Sequence, residues 1–77
     1  MDVYFRTEKS LIKMNDRLDV DCKGRLYTSD LDLKKVSPIA KYTNIDRALE
    51  ILNRIDELLD KAITENKTAI SVRIPSE

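Results

Sequence analysis

The chain has 77 residues, 14 basic and 14 acidic side chains, one cysteine and no histidine. A length of this order holds one domain with a small core, and the even charge balance argues against a nucleic-acid binder, which needs a basic surplus to displace counterions from phosphates. The lone Cys22 rules out an intrachain disulfide and the missing histidine rules out the common zinc sites, so association is what remains to reinforce so small a core.

From the N-terminus the hydrophobic pattern has a period of two. Val3 and Phe5 alternate with Asp2, Tyr4 and Arg6, and Ile12 and Met14 alternate with Leu11 and Lys13. Leu18, Val20 and Cys22 alternate in turn with Arg17, Asp19 and Asp21. This is the signature of half-buried antiparallel strands, and it places Cys22 on the inward face as a small hydrophobe. Lys23-Gly24 is the strongest turn signal, joining 17–22 to 25–29 as a hairpin with Gly24 at the position that needs a positive φ. Ser37-Pro38 breaks the chain before a short strand at 39–42.

The next segment, from about Asn44 to Glu65, changes period to that of a helix. Ile45, Ala48, Leu49, Ile51, Leu52, Ile55, Leu58, Leu59, Ala62 and Ile63 recur at helical spacing. Thr43 or Asn44 caps the first turn, and Asp46 complements the positive end of the helix dipole. Glu50 to Arg54 and Glu57 to Lys61 are i,i+4 pairs in the favourable order. After a turn at Asn66-Lys67, the residues Ile70, Val72 and Ile74 form a last alternating strand, stopped by Pro75.

The fold class expected is therefore α+β: one domain over residues 1–77, with a small antiparallel sheet of about five or six short strands packed against one long helix. The order is β-β-β-β-β-α-β. The apolar stripe of the helix covers about half its circumference, more than one small sheet needs. The flank carrying Ile51, Leu58 and Ala62 is thus expected to meet a second copy of the chain in a homo-oligomer. The alternative is that loops or sheet curvature cover it. No run approaches the roughly 18 apolar residues of a membrane span. The first residues lack a signal peptide's basic start and apolar stretch, and with an unpaired thiol the expectation is a cytoplasmic protein.

Chemistry is constrained mainly by what is missing. Without histidine there is no Ser-His-Asp or Cys-His nucleophile, and a single glycine allows neither a P-loop nor a dinucleotide fingerprint. No enzyme is expected, and no cofactor or metal is required. Asp16, Asp19, Asp21, Asp30 and Asp32 form an acidic cluster of the hard-oxygen type that suits magnesium or calcium, but their spacing matches no known metal loop. A second set joins aromatic and basic residues at outward positions: Tyr4, Arg6, Arg25, Tyr27, Lys41, Tyr42 and Arg73. Guanidinium and ammonium groups hold phosphates, and tyrosine rings stack on bases or support the cation. The same residues anchor protein interfaces or pack across strands as plain surface.

The stretch Tyr42-Thr43-Asn44-Ile45-Asp46-Arg47-Ala48-Leu49-Glu50-Ile51-Leu52-Asn53, with the ending Ile74-Pro75-Ser76-Glu77, resembles small proteins of phages and prophages of Gram-positive bacteria. These run as short strands, a Y-T-x-x-x-A-x-x-x-L helix opening and a closing strand ending in M/I-P-x-E. Ile74 stands where methionine is usual. The resemblance implies a non-enzymatic binding protein acting against host defence, by sequestering a small anionic, nucleotide-like signal in an oligomer or by occluding a host protein. A structural or assembly accessory using only its helix face is the other reading.

Overall fold

In the computed structural model, which describes residues 1–76, the expected α+β order is present. The elements are β1 (Asp2–Arg6), β2 (Leu11–Lys13), β3 (Arg17–Val20), β4 (Arg25–Ser29), β5 (Val36–Lys41), α1 (Ile45–Thr64) and β6 (Ala69–Arg73). The strands do not form one sheet. They form two three-stranded sheets, one ordered β2-β1-β6 and the other β3-β4-β5. One pairing also departs from the antiparallel expectation, since β6 returns after the helix to lie parallel to β1, with Phe5 opposite Val72 and Arg6 opposite Arg73. The chain between these two strands runs through β2 to β5 and the helix, a connection long enough for a parallel return, whereas a tight turn delivers an antiparallel strand.

The hairpin signal at Lys23-Gly24 holds. Gly24 has φ +78° and its carbonyl accepts from the Tyr42 amide at 2.9 Å, which ties the turn to the end of β5. Asp21 closes the same turn by accepting from the amides of Lys23 and Arg25. Cys22 is consequently in the turn and exposed, contrary to the inward position that alternation assigned it, because β3 ends at Val20 before the period reaches it. Pro38 lies inside β5 and is tolerated there because β5 is an edge strand.

Asn44 caps the helix, its side-chain oxygen accepting from the Asp46 amide at 2.8 Å. The helix lies against both sheets, touching β3 and β4 of one and β6 of the other. This accounts for the width of its apolar stripe. Ala48, Ile51, Ile55 and Ala62 are buried, with Ile51 and Ile55 in one core beside Val3, Phe5, Leu26, Val72 and Ile74. The flank expected to meet a second copy is therefore largely consumed within the chain: Ile51 and Ala62 are each 3% exposed, and only Leu58, at 38%, stays open. Ile45, Leu49 and Ile63 are the exposed apolar residues of the opposite flank. No helix among the described residues is long and apolar enough to cross a membrane.

Candidate functional site

The seven aromatic and basic residues singled out above do not form one patch. Tyr4, Arg6 and Arg73 sit on the outer face of the β2-β1-β6 sheet, where Tyr4 pairs with Lys13 and Ser71, and Arg6 with Leu11 and Arg73. Arg25, Tyr27 and Lys41 sit on the outer face of the other sheet, with Arg25 opposite Lys41 and Tyr27 opposite Asp19 and Pro38. Tyr42 belongs to neither. It is fully buried, and its hydroxyl donates to the Pro75 carbonyl at 2.6 Å. The misplacement has a local cause: the β4–β5 register shifts at Leu26/Tyr27, leaving Ile39 as an extra residue. Strict alternation from inward Ile39 sends Tyr42 outward, but a bulge reverses the parity and turns it in.

Arginine pairing separates the basic residues further. Arg25 donates from Nε to Asp21 at 2.6 Å, Arg17 pairs with Asp19 at 3.2 Å, and Arg47 pairs with Glu50 at 3.1 Å. The last pair replaces the expected Glu50–Arg54 contact and leaves Arg54 without a carboxylate among the described residues. Arg6, Arg54 and Arg73 make no ion pair with any described residue, and all three line the same hollow of about 420 Å³. Of the six arginines in the sequence, three pair with carboxylates on the β3–β4 hairpin and the helix, and the three without an ion pair among the described residues converge.

The fold builds this hollow at the carboxyl ends of the parallel pair. Arg6 and Arg73 are the last residues of β1 and β6 and stand in register, about 5 Å apart across the sheet by the usual strand spacing. The Ile74 amide donates to the Arg6 carbonyl at 2.9 Å, which extends the pairing beyond the strand ends. Arg54 comes from the helix, three residues after buried Ile51. The rim comprises the β1–β2 turn and the tail at 74–76. Thr7 shapes that turn, its hydroxyl oxygen accepting from the amides of Lys9 and Ser10. The Tyr42–Pro75 bond fixes the tail from below, and the Ser76 hydroxyl donates to the Glu8 carboxylate at 3.2 Å across the rim.

Like charges directly opposite one another on adjacent strands are destabilising. Arg6 beside Arg73, with Arg54 added, concentrates three permanent positive charges against the one carboxylate, that of Glu8, among the described lining residues. Guanidinium groups carry planar forks of donors that match phosphate and carboxylate oxygens. The arrangement is thus suited to holding an anion, within a chain whose total charge is zero.

The acidic cluster is used differently. Asp21 accepts from two amides and from Arg25, and the Arg25 backbone N–H is the main reason its carboxyl is held below the ordinary value of 3.8. Asp30 accepts from the amides of Lys34 and Lys35 and organises the β4–β5 loop. Among the described residues, no three acidic or thiol groups are placed to enclose a metal ion.

Sequence reasoning found Arg6 and Arg73 but missed Arg54, which it assigned to a helix-surface ion pair. Its position three residues after Ile51 and four before Leu58, at the border of the apolar stripe, was the available signal. Comparison with known proteins returned no matching family model, and neither a curated protein nor a solved structure matches the chain.

Proposed function

We propose that this protein is a non-enzymatic binding protein that captures a small anionic ligand on Arg6, Arg54 and Arg73. One observation carries the reading: the arginines without a carboxylate partner among the described residues are the ones that share a hollow. Leaving three cations together opposes folding unless an anion joins them, so the cluster is better explained by binding than by stability. A hollow of 420 Å³ falls within the roughly 300–1,000 Å³ of small-molecule sites. Among the described lining residues the Thr7 hydroxyl is engaged within the β1–β2 turn, and the Ser76 hydroxyl donates to Glu8 on the rim. In the setting implied by the resemblance to phage and prophage proteins, capture withdraws a nucleotide-like signal from host defence.

The test is thermal unfolding with and without pyrophosphate, in the wild type and in Arg6→Gln, Arg54→Gln and Arg73→Gln. A ligand that binds only the folded state stabilises it by about 2.7 kcal/mol at a hundredfold excess over Kd. Saturable stabilisation that weakens in each variant and fades with added salt supports the reading. No shift at millimolar pyrophosphate, or a shift in all three variants as large as in the wild type, refutes it.

A second reading, an assembly accessory that binds protein through its helix, is favoured by the exposure of Ile45, Leu49 and Ile63 on one flank. Sedimentation of the wild type against Leu49→Glu separates the two: a change of mass in the variant supports assembly, and an unchanged monomer removes it.

A further inference from the structure

We infer that the arginine hollow is one end of a groove shaped for a 5′-nucleoside phosphate, with phosphate on Arg6, Arg54 and Arg73, sugar over Glu8 and Ser76, and base on Ala40 and Pro75. The inference rests on the anion-binding reading above and specifies its ligand.

A second hollow, of about 210 Å³, adjoins the first. The two share Thr7, Glu8, Ile74, Pro75 and Ser76 as a common border. What each adds to that border differs in kind. The larger side adds only the three arginines, whereas the smaller adds Ile39, Ala40 and Tyr42 with Lys9 and Lys41. Along the groove the order is therefore guanidinium, then carboxylate and hydroxyl, then apolar surface.

Glu8 decides what kind of anion fits. A carboxylate beside three arginines repels a compact polyanion and lowers the value of the site for phosphate alone. As an acceptor already aligned by the Ser76 hydroxyl, it is suited instead to the vicinal hydroxyls of a sugar. Beyond it, the half-buried Ala40 and Pro75 offer an uncharged ring somewhere to lie, and Lys9 and Lys41 line the same hollow as donors for ring acceptors. Phosphate, sugar and base occur in that order in a nucleoside 5′-phosphate. An extended nucleic-acid strand would need further cations along its path, and a chain with 14 charges of each sign has no surplus for them.

The experiment is calorimetric titration of the full chain with pyrophosphate, ribose 5-phosphate, ADP and adenosine, repeated in Glu8→Ala and Ala40→Glu. The expected result is that ADP binds at least about tenfold more tightly than pyrophosphate, a difference of about 1.4 kcal/mol. Glu8→Ala then lowers ADP affinity while strengthening pyrophosphate binding. Ala40→Glu brings ADP down to the pyrophosphate level. Because Ala40 is half-buried opposite Leu26, contacts between the base protons of ADP and the Ala40 methyl group, measured by NMR on the wild type, provide a readout that needs no variant. Equal affinity for ADP and pyrophosphate, with no base contact at Ala40, overturns the groove and leaves the arginine site standing. Silence from every phosphate overturns both.

Discussion

Replacing Gly24 by alanine tests how the β3–β4 turn is locked to β5. Gly24 has φ +78°, and a Cβ added there would overlap the Tyr42 carbonyl oxygen and lie 3.3 Å from its carbon. Both clashing atoms are backbone, so no rotamer change relieves the contact. A left-handed conformation costs a non-glycine residue about 1–2 kcal/mol. Relieving the overlap separates the turn from Tyr42 and loses the bond from the Tyr42 amide to the Gly24 carbonyl, about 1 kcal/mol more. Alanine recovers up to about 1 kcal/mol by restricting the unfolded chain. The net expectation is a loss of about 2 kcal/mol, which in a domain of this size lowers Tm by roughly 8–16 °C. Urea unfolding followed by circular dichroism measures it, with Lys23→Ala as a neighbouring control expected to stay within about 0.5 kcal/mol. A Gly24→Ala protein as stable as that control would refute the close approach of turn and strand.

Two further outcomes follow from buried and charged groups. Thr28 is buried, and its hydroxyl accepts from the Asn15 amide and donates to the Arg17 carbonyl, each at 2.8 Å. Thr28→Val strands both backbone groups and is expected to cost about 2–3 kcal/mol in chemical denaturation, whereas Thr28→Ser, which keeps the hydroxyl, is expected to lose less. Asp21 has its folded pKa held below 3.8, so its contribution to stability is complete above that value and is lost as pH falls through the folded pKa. Urea midpoints below pH 4 are expected to fall more steeply in the wild type than in Asp21→Asn, and parallel curves would contradict the assignment.

The elements were legible wherever a single local rule fixed them. Asn44 capping a run with helical spacing and Gly24 between two alternating segments each leave one reading open. The division into two sheets was not legible, because the parallel return of β6 to β1 links residues about 67 positions apart and leaves no local mark. The helix stripe carried the information in another form: its width reflects two sheets, and reading it as one sheet plus a second copy misplaced Ile51 and Ala62. Tyr42 and Cys22 failed for a shared reason, since period-two counting continues through a bulge or past a strand end as though neither were there. Of the candidate site, Arg6 and Arg73 were within reach of strand alternation. Arg54 was not, because which of Arg47 and Arg54 takes Glu50 depends on geometry that the spacing alone does not decide.

The three arginines without an ion pair among the described residues act together, and the paired ones do not. Side-chain Nε–Hε resonances of the six arginines, followed by NMR during a pyrophosphate titration, test this residue by residue. Arg6, Arg54 and Arg73 are expected to shift together along one saturating curve while Arg17, Arg25 and Arg47 hold still. Uniform drift of all six, or movement confined to the paired three, would contradict the account.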